Sequence, residues 1–181
     1  VAGKWIDAIL SRSIDVVLSF PSIMLGLITI AAFGSSIPML IILSGLIYAA
    51  SVFRIARALS LDIIVQDFVE VTRARGEGFL WIITKEVLPN IAMPLATDFG
   101  IRLIFIILFI SSLSFLGLGV QPPISDWGSM VRENLQGLAN GFSGGAIATI
   151  APALAIASLT IAINIIIDDI SAHDGGSLSG K

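Results

Sequence analysis

The sequence predicts an all-α membrane protein: a polytopic bundle of about four transmembrane helices carrying a helical elbow outside the bilayer. Three observations lead there. The 181 residues are 56% hydrophobic and 13% charged, with a mean hydropathy of +0.99, whereas a soluble domain carries about 25% charged residues. The charges are clustered, with none from Val16 to Phe53, from Leu103 to Ser125, or from Asn134 to Ile167. A bilayer core about 30 Å thick is crossed by roughly 20 apolar residues in a helix, and each window suffices. Helices buried in a soluble core would alternate polar and apolar faces at helical period, and these windows do not.

The elements follow in order within a single domain, 1–181. The first window holds two crossings, near 14–34 and 37–59, joined by a tight turn at Gly34–Pro38 (GSSIP). Arg12 and Asp15 stand at its entrance, where they can pair. A polar loop occupies 62–94. The third crossing lies near 97–118 and the fourth near 146–168, followed by a solvated tail over 171–181 that contains His173. Between the third and fourth crossings, QPPISDWG (Gln121–Gly128) and GFSGG (Gly141–Gly145) read as loops. Their Trp127 and Phe142 suit an interfacial belt or a contact with an external protein. Pro21 and Pro152 fall inside apolar spans, where prolines free carbonyls and mark bends.

Lysine and arginine set the expected orientation. Arg54, Arg57, Arg73, Arg75 and Lys85 lie between the second and third crossings, and Lys4 and Arg12 precede the first. The Gly34–Pro38 turn has none, and the loop after the third crossing has only Arg132. Both termini and the 54–96 loop are therefore expected in the cytoplasm. The acidic residues Asp168, Asp169 and Asp174 do not alter this, because acids contribute little to orientation.

That loop contains EVTRARGEGFLWIITKEVLPN, residues 70–90. Phe68–Arg75 reads as a short helix presenting Glu70, Arg73 and Arg75. Phe79, Leu80, Ile82, Ile83, Val87 and Leu88 recur at helical spacing, opposite Lys85 and Glu86. Gly76 lies between the two, where a positive φ is cheap. Pro89 is placed to end the second helix. The pattern is helix, glycine turn, helix; spacing alone leaves open whether it is an elbow for a partner or an amphipathic connection.

Glu70-Val71-Thr72, Gly76 and Leu88-Pro89-Asn90 resemble the E-A-A-x-x-x-G…L-P-N signature of ABC importer permeases, with Val71 and Thr72 in place of the two alanines. SFLGLGVQPPISDWGSM (Ser114–Met130) is similar to the end of the penultimate helix and following loop in the dipeptide, oligopeptide and nickel permeases. Arg12, Asp15 and Pro21, and Asn164 with Asp168, add to a resemblance that spans essentially the whole chain. It implies a permease that binds no cofactor and conducts small peptides or nickel chelates. It further implies a second, similar permease as a heterodimeric partner, cytoplasmic ATPase subunits, an external solute-binding protein and surrounding membrane lipid, with no nucleic acid. ATPase docking would fall to Glu70, Val71, Thr72, Arg73, Arg75, Gly76 and Glu77, with Leu88, Pro89 and Asn90 shaping the loop. Such permeases usually have six membrane helices. GKWID (Gly3–Asp7) is similar to the loop before the third, so the absent pair is expected before Val1, in a fragment or a truncated gene product. The Ser171-Ala172-His173 tail departs from relatives that have an arginine there.

Other groups are weighed on their surroundings. Asp98 and Arg102 share a helix face four residues apart; they line a transport path or form a structural ion pair, and the spacing favours the pair. Asn164 is expected to bond between helices. GGSLSGK (Gly175–Lys181) has the letters of a phosphate loop without the preceding strand and following helix that the loop requires. No nucleophile, base and orienting acid come together, so this chain is not expected to be an enzyme. The absence of cysteine removes disulfides and thiolate-bound metal. The alternatives to transport are an intramembrane enzyme, for which only Asp98, Arg102 and Asn164 are candidates, and a non-transporting scaffold, which needs no elbow.

Overall fold

The computed structural model describes residues 4–139, 141 and 144–178, with side chains over 5–139, 141 and 144–172. Among the described residues there is no strand. The helices are α1 (Lys4–Ser19), α2 (Ser22–Phe33), α3 (Ile37–Ile64), α4 (Asp67–Ala74), α5 (Phe79–Phe115), α6 (Trp127–Ala139) and α7 (Gly145–Leu178). Of these, α3, α5 and α7 are long and apolar enough to cross a membrane. The pair α1 and α2 makes a fourth span only if both arms count as one.

That pair corrects the expected crossing over 14–34. Its arms meet at 88°, because Pro21 stands at the N-cap of α2 with ψ 130°, an extended value that ends the helix before it. The 12 residues of α2 rise about 18 Å, too short for the hydrocarbon core alone. GKWID is not a loop from Lys4 onward, since α1 starts there. Asp7 receives two hydrogen bonds from Arg57, at 2.7 and 2.6 Å, which tie α1 to α3. Arg12 and Asp15, which could pair by their spacing, form no ion pair with each other; the ion pair that fastens this helix is Asp7 with Arg57.

The turn at Gly34–Pro38 is present. Gly34 has φ +81°, and Ser36 caps α3 by accepting from the amide of Met39 at 3.3 Å. Beyond it, α3 runs to Ile64 rather than stopping near 59. Its 28 residues reach about 42 Å, so one end projects past a bilayer core. Likewise α7 continues through the positions assigned to a solvated tail from 171; the backbone stays helical to Leu178. The side chains from His173 onward, residues 179–181 of the GGSLSGK stretch, and Phe142 lie outside what the structure describes.

Packing centres on α2, α3 and α5. Ile30, Leu40, Leu43, Ile47, Phe109 and Leu113 form one buried cluster, with Tyr48 edge-on to Phe109 at 6.1 Å. Gly26 permits the approach of α2, because a Cβ there would stand 3.0 Å from the Phe109 ring. A second cluster, Val69, Ile82, Val87 and Ile91, joins α4 to the start of α5.

The helix α6 was not expected between the two loops. Its signal lies in the sequence at Asp126-Trp127-Gly128-Ser129. The Asp126 Oδ1 accepts from the amides of Gly128 and Ser129 at 2.7 and 3.1 Å, a side-chain cap on the helix start. Ser129 Oγ reciprocates by accepting from the Asp126 amide at 3.1 Å.

Candidate functional site

The elbow is built from α4, the Gly76 turn and the first turns of α5. Residues Val69 and Thr72, three apart, share the face of α4 that turns inward. Helical geometry then places Glu70, Val71 and Ala74 on the opposite side, where all three are exposed. The helix ends in a Schellman arrangement: the Glu77 amide bonds the Thr72 carbonyl at 3.4 Å and the Gly76 amide bonds Arg73 at 2.9 Å. Gly76 has φ +83°, and Arg75 and Glu77 flank it in the open. The glycine turn expected from the sequence is therefore present, and its conformation explains the residue type.

Thr72 is corrected as a docking residue. It is 1% exposed, and its hydroxyl donates to the Phe68 carbonyl at 2.9 Å and to Glu86 Oε1 at 3.2 Å. The side chain fastens α4 to α5 and offers nothing to a partner. Glu86 is likewise not opposite the buried face; it is half-buried beside it. The cause is a π-helical stretch, Ile82–Val87, closed by the Leu88 amide on the Ile83 carbonyl. Five residues of α-helix would leave Ile82 and Val87 about 140° apart. The wider π turn brings them to one side, so that Ile82, Val87 and Ile91 all face Val69. Of the expected apolar face, Phe79, Leu80 and Leu88 are exposed instead.

Nor does Pro89 end the helix. A proline ring crowds the carbonyl four residues back, and the widened turn directly before Pro89 admits it, so α5 continues through Phe115. Asn90 Nδ2 donates to the Glu86 carbonyl at 2.6 Å beside this break. Leu88, Pro89 and Asn90 therefore belong to the junction between elbow and span.

Within the span, Arg102 donates to both carboxylate oxygens of Asp98, at 3.2 and 3.0 Å. Asp98 is buried and Arg102 half-buried. Each satisfies the other on one helix, as the spacing indicates. Asn164 does not bond between helices: it is exposed, and its amide donates to Asp168 one turn on at 3.3 Å. The three polar residues thus fall into two separate pairs. A cavity of about 630 Å³ lies between α2, α5, α6 and α7. The hydroxyls of Ser112 and Thr160 on its wall already bond carbonyls of their own helices, and none of its lining residues is charged. Among the described residues no group of three or more His, Cys, Asp or Glu could hold a metal ion.

Comparisons with known proteins give the family of the chain. The family described as "Binding-protein-dependent transport system inner membrane component" matches residues 1–172. A glutathione transport system permease protein, GsiD, of Shigella flexneri is 34% identical over 129 residues, covering 71% of this chain and 43% of that protein. GsiD of Escherichia coli O157:H7 matches to the same extent. A Brucella suis protein named for a peptide transport system permease is 35% identical over 136 residues, covering 74% of this chain and 46% of its own. The chain thus spans less than half the length of these relatives. With a match over nearly all of its residues and spans of the required length, the chain belongs to the binding-protein-dependent transport system inner membrane components.

Proposed function

We propose that this chain is a permease subunit of an ATP-driven importer of small peptides, glutathione among them, and that it takes its drive from a separate ATPase through residues 67–90. Nickel chelates are the other cargo class the resemblance admits. The observation that carries the reading is the two-sided α4: Val69 and Thr72 clamp it to α5, while Glu70, Val71 and Ala74 face outward beside a glycine turn. A loop that only connects two spans has no need of a clamped, outward-facing helix. A motor pressing on such an element moves α5 with it, because the two share a buried cluster and the Thr72–Glu86 bond.

The remaining parts follow from the family. The elbow and both ends of the chain face the cytoplasm, a second permease completes the pathway, and an external binding protein delivers the cargo. Catalysis within the membrane has less support, since Asp98, Arg102 and Asn164 are spent in separate pairs.

The chain lacks cysteine, so Glu77→Cys introduces a single thiol beside the turn. In native membranes, a thiol cross-linker should capture an ATPase subunit, with a yield that changes on adding nucleotide. Efficient labelling of that thiol with no ATPase captured in any nucleotide state would remove the proposal. Uptake of labelled glutathione against longer peptides then separates the cargo classes.

A further inference from the structure

Among the described residues, no apolar side chain of α1 is buried. Trp5, Ile6, Ile9 and Val16 are exposed, and Ile14 and Leu18, on the same side as Asp7, are half-buried. The side-chain hydrogen bonds that join α1 to another helix, among the described residues, are the two from Arg57 to Asp7 at 2.7 and 2.6 Å. Both partners stay open to solvent, with 40% and 39% of their side chains exposed. An ion pair so open adds little to stability. Two paired N–H···O bonds do fix the direction from which one side chain meets the other. The pair therefore sets where α1 lies more than whether the chain folds.

What the pair connects gives it a task. Arg57 stands on the last two turns of α3, which is continuous to Ile64. In those turns Leu59, Ile63 and Ile64 pack on the buried cluster of the elbow, so displacing the elbow displaces Arg57. At its other end, α1 meets α2 through the 88° break at Pro21. The two ends of α2 are held unequally. Gly26 and Ile30 are buried, the latter with Phe109 and Leu113, whereas Ile23 and Met24 in the first turn are exposed. Ile23 also lines the cavity of about 630 Å³.

We infer that Asp7 and Arg57 are positioning residues that make α1 a strut between the elbow and this cavity. A push on the elbow passes along α3 to Arg57, across the ion pair to α1, and through Pro21 to the first turn of α2. Each step runs through packed or bonded neighbours, as coupling between distant sites requires. The inference rests on the proposed drive through residues 67–90 and gives that drive a second route to the cavity, beside α5 itself.

The test uses the assembled complex in lipid nanodiscs, with nitroxide labels on introduced thiols, since the chain has no cysteine of its own. Lys85→Cys with Ile161→Cys measures the elbow against α7, and Met24→Cys with Ile161→Cys measures the first turn of α2 against the same point. All three positions are exposed. Adding ATP should shift both distances in the parent. Arg57→Gln should keep the elbow shift and lose the α2 shift, and Asp7→Asn should do the same. The exchanged pair Asp7→Arg/Arg57→Asp should restore the α2 shift, which a role for either side chain in folding alone does not predict. Three results overturn the inference alone: an α2 distance that ignores ATP in the parent while the elbow responds, an α2 shift that survives Arg57→Gln, or an exchanged pair that restores nothing. Loss of both shifts in Arg57→Gln and Asp7→Asn assigns the pair to assembly and overturns it too. A parent in which neither distance responds overturns the drive through residues 67–90, and the inference falls with it.

Discussion

Asp98 and Arg102 show how a residue pair can look functional from its cost alone. Two charges at membrane depth are expensive unless paired, and here both guanidinium contacts go to one carboxylate. The same geometry makes each partner dependent on the other. Asp98→Leu leaves the Arg102 guanidinium without its counter-charge and should cost about 3–5 kcal/mol. The double variant Asp98→Leu/Arg102→Met should recover most of that, read as the unfolding midpoint in detergent. A double variant as unstable as the single one would assign the pair a task beyond mutual neutralisation. Thr72 makes the complementary point. From the motif it belongs with its exposed neighbours Val71 and Arg73, yet burial and the bond to Glu86 make it internal. One residue of helical rotation separates an outward-facing side chain from a clamp.

At the scale of the element, the π stretch in α5 decides which residues the elbow buries. It holds one residue more than an α-helix needs between Ile82 and Val87. Deleting Thr84, which is exposed and bonds only carbonyls of its own helix, converts that spacing from five to four. The helix should then close in ordinary α form with Ile82, Val87 and Ile91 still aligned, at a cost of about 3 kcal/mol for the Pro89 ring that the wide turn had admitted. Deleting Phe105 in the regular part of the same helix turns every later residue by about 100° and should abolish the folded fraction in size-exclusion chromatography. Equal damage from the two deletions would mean the π turn does not set the register. The helix was readable in Phe79–Leu88 from its period, but its phase was not. Period reports a repeat of 3.6, and a single wide turn before Pro89 shifts which side faces in.

At the scale of the whole molecule, small residues on α5 let α7 approach it closely. Thr97 and Ser171 meet at 2.9 Å between their hydroxyls. Gly100 leaves room for Ile167, whose Cγ1 and Cδ1 would stand 2.5 Å from a Cβ at that position. Gly100→Ala should therefore cost about 1–3 kcal/mol by overpacking. Combining it with Ile167→Ala should cost less than the sum of the two single changes, because the second removes the clash made by the first. Strict additivity in thermal unfolding would place the two helices further apart than described.

What the sequence by itself determined is the set of properties that composition and local order carry. Long uncharged windows dictate spanning helices, as in α3, α5 and α7, because no other structure satisfies backbone amides in hydrocarbon. Gly34 and Gly76 mark turns of positive φ for the same local reason. The Glu70-to-Asn90 motif marked the elbow before any contact was known. A bend at Pro21 was likewise legible, though not its 88°; tertiary structure alone decided the pairing of Asp7 with Arg57 rather than Arg12 with Asp15, and the inward turn of Thr72. It also decided that α3 lays Leu59, Ile63 and Ile64 against the elbow. Each of these depends on residues far apart in the chain, where spacing along one helix carries no information about what the next helix brings against it.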